Sequence, residues 1–446
     1  MKTRELFDDY LKKIQSNNEL YSDSYKKVAE AVANSTAQYK GKPVEFLYQP
    51  MFLTETDYQR FDSLTAELYK ILNKVIQHYI MDADFRKHFG FSPLLEELIL
   101  KDPGYSTDVP IGRFDIFYHY DTGSFQFCEL NADGSSGMVE QQEIARVFRN
   151  SAAIREYEGE YSIRDFELFD SWVKILQRKY KEFSKRSEKP QVAIVDWLQA
   201  DPPSEFVEFQ KAFEKDGCKT IIVDPRWLEY REGKLYYKDF RIDCIYRRAV
   251  TWEIIEGAEA VRPFIEAYLA GDVCVVGPLR SQIIHNKIIF ALLHDEVKTP
   301  FLTEADREFI KSHIPYTAIF DISDDHQVNY AIANKDLLVL KPMDKYASKG
   351  VRIGEDYSTE EWIKIIDEEA KEEYLLQEFC RVPKVKMAFF NEEHQVEFKE
   401  SNYIIGLFMY DGRLQGVYTR TGTKNIIGSI VECYTVPNFV FSPKYT

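Results

Sequence analysis

The chain has 446 residues, 45% of them hydrophobic and including 31 Phe and 29 Tyr. It is long enough for two or three domains with a substantial core and too apolar to be disordered. Its net charge of −16 excludes general binding to nucleic acid or anionic membranes, because phosphate surfaces demand basic protein; a local basic pocket for a nucleotide stays open. No run approaches the ~18 apolar residues of a membrane span. Residues 1–15 lack a signal peptide's hydrophobic core. The six cysteines (128, 218, 244, 274, 380, 433) show no CxxC spacing, and they read as buried thiols of a soluble, cytoplasmic protein.

Residues 1–100 read as a helical N-terminal region, with apolar residues at three- and four-residue spacing over 57–80 and 93–100. A unit over 101–155 follows, made of a hairpin at 113–131 and a helix at 138–150 behind a small-residue loop. Residues 156–270 carry a helix over 164–184, then short apolar strands at 191–198, 220–223 and 242–246 separated by helix-length segments. That alternation predicts a parallel α/β layer. The last unit, 271–446, contains a strand at 273–276, a helix at 281–294, strands at 337–340 and 374–376, and a helix at 359–370. A hairpin over 404–410 and 414–419 closes it, with Asp411-Gly412 as its turn.

The first hairpin is the most informative segment. Alternate strand residues share a face, so Arg113 lies beside Asp115, and Glu129 beside Asn131. With Gly123 in the left-handed position of a three-residue loop, Tyr120 faces Ser124. Counting back places Asp115 opposite Glu129 and Arg113 opposite Asn131, with Cβ atoms about 4.5–5.5 Å apart. Two acids and an amide so close suit Mg²⁺, which also takes water and substrate phosphates. Alternating charge on a hairpin is more often a solvated face, but Phe114, Ile116, Phe125, Phe127 and Leu130 make these strands apolar enough to border a cleft.

In the second half, Lys341 leaves a buried strand beside the loop 343–350, positioned to meet a phosphate that backbone N–H groups could cover. No Walker sequence occurs. Gln377, Glu378 and Phe379 end another apolar strand, where backbone groups can meet a purine edge. Arg420, at a strand end, can clamp a carboxylate or phosphate. Lys287 lies within an apolar helical stripe and either snorkels or faces a site. The eight histidines fall in no triad or HExxH context, so hydrolytic triads and zinc chemistry have no support.

The succession GRFD, ELNADGSSG, IDCIYRR, a strand ending in Lys-Pro, LLQEF and IIGLF…GRLQGVYTRTG resembles the synthetase domain of glutathionylspermidine synthases. These are circularly permuted ATP-grasp ligases, and the resemblance covers roughly residues 100–440. It implies an α/β (α+β) ATP-grasp fold with a pre-ATP-grasp-like parallel layer, in which Glu-x-Asn precedes the nucleotide-binding lysines. It further implies ATP and Mg²⁺ as cofactors, with Asp115, Glu129 and Asn131 as metal ligands. Lys287 and Lys341 would contact phosphates, Ser348, Lys349 and Gly350 would cover them, and Gln377 to Phe379 would hold adenine. Arg113 and Arg420 would stabilise phosphoryl transfer and an acylphosphate.

The implied activity joins a small-molecule or peptide carboxylate to an amine. A silent nucleotide-binding scaffold and a small-molecule kinase are the alternatives. Two segments depart from the family. The loop reads Tyr346-Ala347-Ser348-Lys349-Gly350 instead of an Arg-Glu-Gly segment, and Asp133-Gly134-Ser135-Ser136-Gly137 replaces Thr-Pro-Thr beside the acceptor site. The chain is expected to lack the amidase domain of bifunctional members.

Overall fold

Alternating apolar and polar residues along much of the first hairpin produce the strands Ile111–His119 and Ser124–Asn131, the second of which lies at one end of its sheet. The computed structural model describes residues 3–39, 41–199, 202–343, 350–369, 374–391, 393–428 and 432–444. Arg113 pairs with Asn131 and Asp115 with Glu129, as the count back from the turn requires, but by another route. His119, not Tyr120, faces Ser124, so residues 120–123 form the loop. The register then shifts by one between Asp115 and Ile116, leaving Cys128 as the extra residue of a bulge. The longer loop and the bulge cancel, and the polar face is preserved. Gly123 sits at φ +68° in the turn.

Ile111–His119 also pairs with the long strand Val396–Tyr410, which pairs in turn with Arg413–Gly422 and Lys384–Phe390. Tyr434–Val436 ends this antiparallel sheet. Segments near residues 120 and 410 therefore share one sheet although the parallel layer lies between them in the chain. Asp411 and Gly412, at φ +52° and +78°, make the two-residue turn that left-handed positions allow. The helix Glu55–Met81 packs on Arg413–Gly422. It begins two residues before the apolar periodicity does, because Thr54 and Asp57 form a capping box.

The parallel layer is present, ordered Cys274–Val276, Cys244–Arg247, Val192–Val195, Thr220–Val223. Cys274–Val276, expected in the last unit, belongs to this sheet. Gly271, at φ +79°, is the left-handed cap of the helix Arg262–Ala270. The expected strand 242–246 also divides. Phe240–Ile242 joins a small antiparallel meander, and Cys244–Arg247 enters the parallel sheet.

Three further expectations shift. The N-terminal region contains the strand Met51–Thr54, which pairs with Asn438–Pro443 near the other end of the chain. The helix expected from 164 starts at Asp170, after the strand Tyr161–Arg164. The helix expected over 281–294 breaks at Asn286-Lys287, into Gln282–His285 and Ile288–His294. Among the described residues no helix is long and apolar enough to cross a membrane.

A separate four-stranded antiparallel sheet runs in the order Thr317–Phe320, Tyr374–Glu378, Leu338–Pro342, Arg352–Ile353. Trp362, on the helix Thr359–Glu369, fills its core and donates its indole N–H to the Ala331 carbonyl at 3.0 Å. One face of this small sheet, carrying Val339, Lys341, Ile353 and Gln377, borders a cavity shared with the first hairpin, and that space is the candidate site.

Candidate active site

The polar face of the hairpin is neutralised from several directions. Arg113 Nε and Nη2 donate to Asp115 Oδ1 at 2.8 Å and Oδ2 at 3.1 Å, the paired geometry that a guanidinium offers a carboxylate. Arg420 Nη2 donates to Asp115 Oδ2 at 2.6 Å. Asn131 Nδ2 bridges the two acids, reaching Asp115 Oδ2 at 3.2 Å and Glu129 Oε2 at 3.3 Å. Lys287 Nζ lies 3.0 Å from Glu129 Oε1. The break at Asn286-Lys287 lets the Lys287 N–H bond the Met343 carbonyl at 3.2 Å, which ties this lysine to the chain just after Lys341.

Asp115 is 1% exposed, so its charge depends on these partners. Burial alone would push the Glu129 carboxyl up. Lys287 foremost, with His285 and Lys341, holds it down at about 2. The oxygens here are hard donors: two carboxylates and, with its amide turned over, the carbonyl of Asn131. Among the described residues no group of three His, Cys, Asp or Glu side chains forms a metal site. The oxygen donors of Asp115, Glu129 and Asn131 fit a hard divalent ion of the kind that keeps several waters.

Two cavities meet at this face. The first lies between the hairpin and the small sheet. Its apolar walls include Phe117, Val339, Ile353, Val382, Ile404 and Ile427, and its polar end carries Asp115, Glu129, Lys287, Lys341 and Arg420. The second is lined by Arg113, Asn131, the loop 133–137, Glu140, His285 and Tyr418. Glu129 and Arg420 line both.

Most of the residues singled out from sequence converge here. Lys341 reaches the first cavity and donates to the Cys128 carbonyl at 3.4 Å. Gln377, Glu378 and Phe379 line it too, but their donors are largely committed. The N–H of Glu378 goes to Tyr316 at 2.8 Å, the N–H of Phe379 to Leu337 at 2.8 Å, and the Gln377 amide to Thr317 at 2.8 Å. Gly350 precedes the strand Arg352–Ile353 at φ +75°; Ser348 and Lys349 lie outside the described residues. The thiols correct one expectation. All six are free, but only Cys218, Cys244 and Cys274 are buried, while Cys128 and Cys380 line the first cavity and Cys433 the second.

The supports of the loop 133–137 were not visible as site residues. Arg247 Nη1 donates to Asp133 Oδ1 at 2.5 Å and to the Ala249 carbonyl at 2.7 Å, and the Thr251 N–H reaches Asp133 Oδ2 at 2.6 Å. Arg248 donates to the Ser135 carbonyl and, at 2.8 Å, to Glu205. Arg113 Nη1 donates to the Ser136 carbonyl at 2.6 Å. The three arginines thus hold the loop from below. The only sequence signal was the adjacent pair Arg247-Arg248 ending an apolar strand, two charges at a point where burial makes pairing obligatory. Gly406, in register with Asp115, was also missed. A Cβ there would meet Arg113 Cδ at 2.7 Å and Asp115 Oδ1 at 2.9 Å, so the close approach requires glycine.

A small antiparallel sheet faces a larger one in a mixed α/β architecture consistent with the ATP-grasp fold, and the acidic hairpin precedes the lysine strand in the chain. The chain belongs to the glutathionylspermidine synthase preATP-grasp family, whose model matches residues 42–440. Among solved structures it is similar to a glutathione synthetase-like effector from Globodera pallida in its apo form. The TM-score is 0.63 at 12% identity, covering 95% of this chain and 97% of that one, which shows a shared fold. Among curated proteins it is similar to "Putative glutamate--cysteine ligase 2-3" of Frankia alni, 26% identical over 175 residues. That match takes in 37% of this chain and 19% of the relative, so the chain spans less than a fifth of the curated relative's length.

Proposed function

We propose that this chain is an ATP- and Mg²⁺-dependent carboxylate–amine ligase that forms an amide through an acylphosphate. The observation that carries the reading is the junction of two cavities at Glu129 and Arg420, beside the oxygens of Asp115 and Asn131. A ligase of this type needs one pocket for a nucleotide and another for the groups it joins, with phosphoryl transfer between them. The ligase name of the curated relative supports the same class.

In this reading the apolar walls of the first cavity enclose the purine. Because the N–H groups of Glu378 and Phe379 are committed, the purine edge meets the Glu378 carbonyl and the backbone beyond Phe379. Lys341 and Lys287 contact the phosphates. Asp115, Glu129 and Asn131 hold Mg²⁺, which when bound neutralises phosphate charge. Arg113 and Arg420 stabilise the charge that develops as the substrate carboxylate attacks the γ-phosphate. A small-molecule or peptide amine then enters by the second cavity and displaces phosphate.

The protein supplies no nucleophile in this scheme. Burial raises the thiols of Cys128 and Cys380, the latter to about 12, so both stay protonated and unreactive. The test is incubation with ATP, Mg²⁺ and pooled carboxylates and amines. ADP with an amide supports the ligase. ADP with a stable phosphorylated product identifies a kinase, and ATP binding without turnover identifies a scaffold.

A further inference from the structure

The second cavity holds one buried carboxylate that its surroundings leave unused. Glu140 is the third residue of the helix Met138–Phe148, which follows Gly137. The amides at this helix start are divided unequally. Glu205 Oε2 accepts the N–H of Gly137 at 3.0 Å, of Met138 at 2.8 Å and of Val139 at 3.3 Å. The N–H of Glu140 turns to its own carboxylate. Glu140 Oε2 is then buried with no hydrogen-bond partner, on a half-buried side chain that lines the cavity.

The cavity's other carboxylates are engaged or peripheral. Glu129 faces Lys287, and Asp133 is held by Arg247 and the Thr251 N–H. Glu432 accepts the N–H and hydroxyl of Thr423 at 2.8 and 2.6 Å, and Glu45 sits exposed on the rim. An unpartnered buried oxygen is costly to a fold and marks a place where a ligand completes the set.

Building on the ligase reading above, we propose that Glu140 is the proton acceptor for the attacking amine. The amine lone pair forms the C–N bond at the acylphosphate carbonyl carbon. The carbon–oxygen bond to phosphate breaks, phosphate leaves with that electron pair and takes the N–H proton lost after attack, while Glu140 Oε2 takes the earlier proton that the ammonium form gives up to free the lone pair. Each group around Glu140 has a distinct part. Glu205 opposes its ionisation from the neighbouring helix, with Tyr418 and Cys433 adding negative potential if ionised. Arg113 and Arg248 favour ionisation from the hairpin and the parallel sheet. Burial first, then Glu205, raises the carboxyl to about 8, which gives a base suited to neutral pH. The cavity's histidine, His285, also has an unpartnered nitrogen, but it interacts with Glu129 and Asp133 on the metal-binding side.

Hydroxylamine separates the two proton losses, because near pH 7 it is already neutral and needs no base to free its lone pair. Wild type and Glu140→Gln are compared with ATP, Mg²⁺ and a panel of amino-acid and dipeptide carboxylates. Each is offered hydroxylamine or a primary alkylamine. The expected result is an amide rate ~100-fold lower with less than ~3-fold change in hydroxamate, the span a general base contributes. Equal loss of both products, or retained amide formation, overturns the proposal. Selective amide loss in His285→Asn instead overturns it as well. A wild type that forms no hydroxamate with any carboxylate overturns the ligase reading itself, an outcome visible without the variant. Glu140→Gln is nearly isosteric, and a melting temperature at or above wild type at pH 8 shows that it folds.

Discussion

Arg420 donates to Asp115 at 2.6 Å across a separation of 305 residues. The contact joins the closing hairpin to the opening one and places a guanidinium beside both cavities. It also explains how Asp115 remains buried. With Arg113 on its other side, the carboxylate has two cations, and removing either exposes a charge to an environment that cannot solvate it.

Glu129→Ala is expected to lower ADP release by about 100-fold or more, the scale of a lost electrostatic contact to the reacting groups. Far-UV circular dichroism should show a folded protein. Turnover near the wild-type rate would remove Glu129 from the proposed metal set.

Arg420→Lys keeps the charge but loses the planar fork that reaches Asp115. Turnover should fall by roughly 10- to 100-fold, while calorimetry shows ATP affinity little changed. A selective loss of ATP binding would instead make Arg420 a nucleotide ligand.

Gly406→Ala brings a methyl group against Arg113 and Asp115, at 2.7 and 2.9 Å before relaxation. Crowding of this kind costs about 1–3 kcal/mol, measurable by urea unfolding. Activity should fall further than stability, because the displaced pair borders the site. Unchanged turnover would show that Arg113 and Asp115 can shift without consequence.

Two carboxyls act on stability in opposite directions with pH. Glu129 is lowered from 4.5 to about 2 by Lys287 acting against burial. Its contribution is present above pH 4.5 and is lost as pH falls toward 2. Glu140 is raised to about 8, so the folded state keeps a proton that the unfolded chain releases. Stability then falls as pH rises from 4.5 to about 8 and levels beyond it. Thermal melts across pH 3–9 check both: Glu129→Gln should flatten the acid limb and Glu140→Gln the neutral-to-alkaline limb.

Arg247→Ala leaves Asp133 buried beside only the Thr251 N–H and releases the loop 133–137. Breaking a buried pair in this way costs about 3–5 kcal/mol, read from denaturant unfolding. A loss under 1 kcal/mol would mean that water replaces the guanidinium.

Much of the site was legible because a strand's period of two is a local property. Arg-x-Asp and Glu-x-Asn had to share faces, and the pairing of 113 with 131 and 115 with 129 followed from counting to a turn. The count came out right through compensation: the loop is one residue longer than expected, and the bulge at Cys128 restores the register. The parallel layer was legible from short apolar strands, but its edge at Cys274–Val276 was not, since a glycine helix cap resembles a boundary. Met51–Thr54 escaped notice because its partner lies at 438–443, and so short a strand has no local signal of its own.

By itself the sequence determined most of the elements and the polar face of the hairpin. These depend on periodicity and turn chemistry within a few residues. Only the tertiary structure decided which cation meets which acid: Arg420 with Asp115, Lys287 with Glu129, Arg247 with Asp133. It likewise decided that Glu205 would take the helix-start amides and leave Glu140 Oε2 without a partner. Those outcomes depend on burial and on charges supplied by distant segments, and no local pattern encodes either.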